Sequence, residues 1–235
     1  MKKKWKTGLL ITLIVIGVLV VAAVVIGVLN ATVFDGSINF GWTDYRYDDK
    51  GYSVGEGTVY AEEITAIDVD WLDGNVQIVV CEDRYFSISE FSQESLTDAM
   101  RVHWSVSEDG KTLTVKCRES AWFLGSSAKK DLILRIPERL MGAITSLTVR
   151  AQESEISCLL STVPATLSLE NEKGNVTLEF LQNADFALTW THREGKLITD
   201  FAVKQEGNRY IAGAGKSEIS VSTKYRGDLS LLIQK

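Results

Sequence analysis

Five stretches of the chain obey one spacing rule, and that rule limits the fold more than any other feature. Ile67/Val76, Leu147/Ile156, Leu167/Val176, Leu188/Leu197 and Tyr210/Ile219 are each a large apolar pair nine residues apart. Two residues beyond the first member stand Val69, Val149, Leu169, Trp190 and Ala212; two beyond the second stand Ile78, Cys158, Leu178, Thr199 and Val221. A small residue (Gly74, Ser154, Gly174, Gly195 or Ser217) comes two positions before each second member, and the last four units start 20, 21 and 22 residues apart. Leu229/Leu231 opens what reads as a truncated sixth unit. Self-similarity at such a period marks a stacked array.

Apolar residues at i and i+2 define a short strand with one buried face, so each unit reads strand, turn, strand. One such unit has a single buried row and no core of its own. Neighbouring units must stack at the ~4.8 Å strand spacing, like residue over like residue. The expectation is an all-β protein, a β-solenoid of about 20–22-residue strand-turn-strand units. A chain of antiparallel hairpins gives much the same pattern and stands as the alternative.

Gly8 to Leu29 is 22 residues without a charge, about 33 Å of helix at ~1.5 Å per residue and enough to cross a bilayer. Lys2, Lys3, Lys4 and Lys6 precede it and the first charge after it is Asp35, which orients the tail to the cytoplasm and the rest outside. The competing reading is a cleaved signal peptide, for which Leu29-Asn30-Ala31 is a poor site. The expected organisation is a cytoplasmic tail (1–7), a transmembrane helix (8–29), a juxtamembrane linker (30–60) and an extracytoplasmic β-strand-repeat domain (61–235).

Of 25 Lys and Arg residues four precede the apolar stretch, so the outer part carries 21 − 31 = −10. A nucleic-acid surface needs a positive stripe, which this balance disfavours. Three cysteines do not make a disulfide framework. Cys117 and Cys158 fall in register with core positions; Cys81 has outward parity, and a bridge from it to Cys117 is left open. Residues 30–60 are rich in Gly, Asp and aromatic residues. After the first repeat unit an insertion carries strands of its own: one at Phe86 and Ile88, a hairpin from His103 to Cys117 turning at Glu108-Asp109-Gly110, and one from Leu132 to Ile136. This N-terminal part is expected to be sandwich-like.

Ile67-Asp-Val-Asp-Trp-Leu-Asp-Gly-Asn-Val-Gln-Ile78, Asp109-Gly-Lys-Thr-Leu-Thr-Val115, Leu132-Ile-Leu-Arg-Ile-Pro137 and the Gly174-Asn175-Val176 turn carry a resemblance. The chain resembles the bacterial family named putative adhesins, membrane-anchored β-strand-repeat proteins classed as a domain of unknown function. The resemblance covers residues 60 to 234 and implies a right-handed β-solenoid at a bacterial cell surface. It supplies no catalytic residues. Some relatives sit beside envelope-stress signalling systems, which implies a sensing or scaffolding role.

Several motifs that suggest chemistry fail on inspection. Gly213-Ala-Gly-Lys-Ser217 resembles the end of a phosphate-binding loop, but Tyr210 or Ile211 stands where its first glycine belongs. Asp68, Asp70 and Asp73 lack the distal glutamate of a calcium loop and alternate with Ile67 and Val69 as solvent-facing strand residues. His103 and His192 have no Cys or His partner at metal-ligand spacing. No nucleophile comes with a recognisable base and orienting acid. The reading is therefore no enzyme, no metal and no cofactor, with neither nucleotide nor nucleic acid as partner.

The outward positions remain: Thr148, Arg150, Ser168, Glu170, Thr177, Glu179, Thr189, Thr191, Ser220 and Ser222. They line up as rows of hydroxyls and charges, suited to multivalent recognition and equally to plain solubility. The apolar run holding Trp122, Phe123 and Leu124 is either a partner contact or a flap capping the array. The expected function is an anchored binding or scaffold module of the cell envelope, adhesin-like or an envelope-stress accessory, with the membrane as one partner and wall polymer or an envelope protein as another. The alternative is a structural spacer or self-assembling surface subunit.

Overall fold

A computed structural model describes residues 51–117 apart from 94, 97 and 99, and residues 129–234 apart from 183. The apolar stretch 8–29 and the run at Trp122, Phe123 and Leu124 lie outside the described residues. Among the described residues, no helix is long and apolar enough to cross a membrane.

The described chain is almost entirely strand. In order come β1 (Ser53–Val54), β2 (Gly57–Val59), β3 (Ala66–Asp73), β4 (Val76–Cys81), β5 (Phe86–Ser92), β6 (Val102–Val106), β7 (Thr112–Cys117) and β8 (Lys130–Pro137). A single helical turn, α1 (Glu138–Met141), follows Pro137 and buries Leu140 and Met141. Then come β9 (Ser146–Glu153), β10 (Ile156–Leu160), β11 (Thr166–Lys173), β12 (Val176–Phe180), β13 (Phe186–Glu194), β14 (Leu197–Thr199), β15 (Lys204–Glu206), β16 (Arg209–Ala212), β17 (Ser217–Arg226) and β18 (Leu229–Ile233).

These strands form two sheets. The ten-stranded sheet has the order β1-β6-β7-β3-β9-β11-β17-β13-β16-β15, and the eight-stranded sheet β14-β18-β12-β10-β4-β8-β5-β2. Each coil of the array gives one strand to each sheet. In space the coils follow one another as β7/β8, β3/β4, β9/β10, β11/β12, β17/β18 and β13/β14, all pairing in parallel. The fold is all-β and β-solenoid-like.

The spacing rule becomes rows of like residues. Leu113, Ile67, Leu147, Leu167, Ile219 and Leu188 stand in one register across the ten-stranded sheet, and Val115, Val69, Val149, Leu169, Val221 and Trp190 in the next. Facing them, Leu132, Val76, Ile156, Val176, Leu229 and Leu197 share a row of the eight-stranded sheet. Nearly all are fully buried. Each fully buried Leu, Ile or Val contributes roughly 1.5–3 kcal/mol, so the rows dominate the stability of the stack.

The turns between the two strands of a coil also stack. Gly174 (φ +120°) lies so close to the coil before it that an added Cβ would stand 2.0 Å from the Ser154 carbonyl oxygen, and one on Gly227 would stand 2.0 Å from that of Gly174. The backbone ladder runs on through these corners, with Val76 N–H donating to Glu155 O at 2.9 Å, Ile156 to Asn175 at 3.0 Å and Val176 to Asp228 at 2.9 Å. Side chains of the same column cap further amides: Asp131 accepts from Asn75 N–H at 2.7 Å, and Asn175 from Asp228 N–H at 2.8 Å.

Three sequence expectations are corrected here. Tyr210 and Ile219 do not belong to one coil: Tyr210 lies on β16, antiparallel to β13, whereas Ile219 on β17 shares its coil with Leu229 on β18. Ser217 accordingly begins β17 instead of occupying a turn, and Gly227 takes the turn position. Leu229/Leu231 is the second half of that same coil, not a truncated sixth. One coil escaped the rule altogether, because residues 118–128 intervene between β7 and β8 and stretch Leu113 and Leu132 to nineteen residues apart.

Antiparallel strands flank the parallel stack. At the β7/β8 end, β6 and β1 extend one sheet while β5 and β2 extend the other, in the region expected to be sandwich-like. The last ten residues of the stretch expected as linker thus carry β1 and β2, with Val59 buried; strands of two and three residues leave too little alternation to read. At the other end β16 and β15 extend the ten-stranded sheet, and the eight-stranded sheet stops at β14.

Candidate functional site

Period-two alternation that buries one row presents the next to solvent. On the outer face of the ten-stranded sheet, Thr114, Asp68, Thr148, Ser168, Ser220 and Thr189 share one register, five hydroxyls and a carboxylate spaced by one strand each. The adjacent row reads Lys116, Asp70, Arg150, Glu170, Ser222 and Thr191. All twelve are half-buried or exposed. The parallel ladder beneath holds them at the ~4.8 Å strand spacing, giving a rigid periodic surface.

A shallow groove of about 300 Å³ runs along this face, lined by Asp70, Arg150, Glu170, Glu172, Ser222 and Lys224 among others. Its charges are partly paired. Arg150 Nη2 donates to Asp68 Oδ1 at 2.5 Å, and Lys224 Nζ to Glu172 Oε1 at 2.6 Å. The Glu172 carboxylate raises the pKa of Lys224, first through that hydrogen bond and then through its charge. Such exposed pairs add little to stability; they set the orientation of the groups a ligand would meet. The outward residues of the other sheet are less polar, with Thr177 and Glu179 beside half-buried Val79, Leu159 and Leu232.

The residues weighed for chemistry are scattered. Asp68 and Asp70 sit on the outer face, and no group of three His, Cys, Asp or Glu residues among the described ones could hold a metal ion. His103 is buried, its Nδ1 2.9 Å from Arg101 O, and His192 stacks on Trp190 at 3.7 Å. Cys81, Cys117 and Cys158 form no disulfide. Burial pushes the Cys158 thiol up to about 12.

Two polar pairings gave no sequence signal. Lys130, on a strand of the core, is buried with its Nζ 3.3 Å from Glu90 Oε2 and 5.2 Å from the centroid of Trp71, and it donates to the Met100 carbonyl. Set between Lys129 and Asp131, Lys130 reads as a solvent-facing strand entry, and the buried carboxylate of Glu90, forty residues away, is the counter-charge that makes its burial tolerable. The second is the glycine loop 213–217, whose amides turn inward onto Asp185 of the same chain. Its likeness to a phosphate-binding loop therefore has a physical basis: the loop does hold an anion, a carboxylate of its own.

Residues 64–197 match the Toastrack DUF4097 family, more than half of the chain. The chain belongs to the Toastrack family. Its domain has no assigned function, and the match contributes fold and membership without a residue role. Among solved structures, a protein described as a "putative cell adhesion protein" from Clostridium sporogenes ATCC 15579 is similar, with a TM-score of 0.55 and 11% identity over 78% of this chain and 100% of that one. At that identity the likeness concerns the fold. No curated protein matches the chain.

Proposed function

We propose that this Toastrack protein is a single-pass, membrane-anchored binding or scaffold module of the bacterial cell envelope, adhesin-like or an envelope-stress accessory, with no enzymatic role. The uncharged stretch 8–29 behind four lysines supports an anchor with the solenoid outside the cell. The stack is wound right-handed, as its family resemblance implies. The observation that carries the reading is the outer face of the ten-stranded sheet: two registered rows of hydroxyls and charges over a groove, on a backbone too rigid to adapt to many shapes. A repeating ligand, wall polymer or the exposed strand of an envelope protein, meets such a face at many equivalent points, so weak contacts sum.

The test is co-sedimentation of the full chain, in detergent, with purified peptidoglycan and with membrane extract of the producing cell. Glu170→Lys and Ser220→Tyr on the face should abolish binding, while Glu179→Lys on the opposite sheet should leave it intact. Equal effects from both faces, or no binding by the unaltered protein, would remove the reading. Location is tested separately: a membrane-impermeant maleimide should label half-exposed Cys81 on intact cells, and labelling only after lysis would place the solenoid in the cytoplasm.

One observation favours a second reading, a self-assembling subunit. β14 is a sheet edge with Ile198 49% exposed, and unpaired edges recruit further strands. Sedimentation over a wide concentration range decides it, since a strict monomer excludes assembly.

A further inference from the structure

Chain order and spatial order part company at the last two coils. β13 lies between β17 and β16, so that Phe186 is flanked by Ser217 on one side and Ala212 on the other. Residues 213–216 must step across β13 in four residues. Gly213 (φ +63°) and Gly215 (φ +72°) supply left-handed conformations that make so tight a step feasible. The step lies on the outer face: a Cβ on Gly215 would stand 3.5 Å from that of Ala187, and Ala187 is buried although its register partner Glu218 faces outward.

A turn this tight leaves amides without strand partners, and they converge on one acceptor. Lys216 N–H donates to Asp185 Oδ1 at 3.1 Å, the amides of Gly215 and Ala214 point to the same carboxylate, and Lys216 Nζ lies 3.6 Å from Oδ2. These donors, the Lys216 amide foremost, hold the Asp185 carboxyl below its usual range. A second tie crosses the same strand, Arg209 Nη2 donating to Glu218 Oε1 at 2.8 Å.

Nothing in the apolar rows requires this order. Leu188/Leu197 could stack directly on Leu167/Val176, in chain order, with Ile219/Leu229 outside it, and the same kinds of residue would be buried. We infer that the clasp between Asp185 and residues 213–216 selects the interleaved order, and that opening it releases the C-terminal coil, β17 and β18, from the middle of the stack. The fold thus contains a latch: a terminal segment threaded between two coils and held by polar groups at one crossing. Among the described residues Lys216 is the titratable side chain facing the carboxylate, and Arg209 and Glu218 are the charged groups beside the crossing. Because the folded carboxyl is depressed, the clasp holds above the ordinary carboxylate range and fails as pH falls through the folded value below it.

Hydrogen exchange of the full chain, read by mass spectrometry and corrected for intrinsic rates, tests this. At pH 7, Asp185→Asn should lower the protection of amides 214–233 at least about tenfold, the scale of one charge-assisted hydrogen bond, and leave β3, β9 and β11 unchanged. Lys216→Met should do the same more weakly. The unaltered protein at acid pH should reproduce the Asp185→Asn pattern, and acid should add nothing localised to that variant, which separates Asp185 from Glu218. No localised loss in Asp185→Asn, or a loss spread evenly over the six coils, overturns the inference. If Asp185→Asn does not fold, Lys216→Met and the acid arm decide by the same criterion.

Discussion

The stacked turns set how closely coils can approach, and alanine substitutions separate the two reasons for which glycine stands there. At Gly174 both act: φ is +120°, and a Cβ would stand 2.0 Å from Ser154 O, 3.4 − 2.0 = 1.4 Å inside ordinary contact. The backbone strain costs ~1–3 kcal/mol. Relieving the clash moves apart two corners joined by Ser154 N–H to Lys173 O (3.1 Å), Ile156 N–H to Asn175 O (3.0 Å) and Asn171 Nδ2 to Ser154 O (2.6 Å), each worth about 1 kcal/mol net. Gly174→Ala should therefore cost about 3–6 kcal/mol. Gly195 has no positive φ but equal crowding, since an added Cβ would stand 2.1 Å from Gly227 O, so Gly195→Ala isolates the clash at about 2–3 kcal/mol. Gly110 has φ +74° and nothing within 4 Å, so Gly110→Ala isolates the strain at ~1–2 kcal/mol. Gly142, right-handed and open, should change by less than about 1 kcal/mol as alanine. Urea unfolding followed by the fluorescence of buried Trp71 and Trp190 measures all four. If Gly174→Ala and Gly195→Ala cost no more than Gly110→Ala, the turn column does not govern coil spacing.

Other expectations follow from the buried polar groups. Lys130→Met leaves the Glu90 carboxylate buried without its counter-charge and should cost ~3–5 kcal/mol, most of it recovered in the double variant with Glu90→Gln; an additive pair in a double-mutant cycle would deny the coupling. Ser154 Oγ is buried with no hydrogen-bond partner, so Ser154→Ala should be neutral or stabilising by up to about 1 kcal/mol, and a clear loss in a urea melt would contradict this. Burial raises the thiol pKa of both Cys158 and, less strongly, Cys81. At pH 8 an aromatic disulfide reagent should modify Cys81 first and Cys158 only in denaturant, as peptide mapping would reveal.

The rows were legible because parallel stacking sets like residues above one another, which leaves a fixed interval in the chain. Ile67/Val76, Leu147/Ile156, Leu167/Val176 and Leu188/Leu197 are the residues that stack. What the interval cannot carry is which coil lies beside which. Tyr210 and Ala212 show the i, i+2 alternation of any half-buried strand, so β16 read as half a coil although it pairs antiparallel to β13. An insertion of unrelated length hid Leu113 and Leu132. The outward rows were legible for the same reason as the inward ones, being the other parity of the same strands. The Lys130–Glu90 pair and the Asp185 clasp were not, since each joins residues about thirty or forty apart that share no spacing rule.

Strand order can be read directly, without perturbing the clasp. Ser168 on β11 and Ser220 on β17 are register partners on the outer face, about 4.8 Å apart at the Cα atoms and within disulfide reach. Ser168 and Thr189 are separated by the intervening β17, two strand spacings or about 9.6 Å, too far to bridge. With Cys81 replaced by serine, Ser168→Cys/Ser220→Cys should therefore cross-link under mild oxidation while Ser168→Cys/Thr189→Cys should not. Stacking in chain order would reverse the two results, because β13 would then adjoin β11. The chemistry of the face is indifferent to that choice, as Ser168, Ser220 and Thr189 place a hydroxyl at every rung in either order. The Lys224–Glu172 pair is not indifferent, since it needs β17 beside β11. A chain that exchanged orders would keep its hydroxyl row and lose this ion pair, so a ligand that reads charge would sense the latch and one that reads hydroxyls would not.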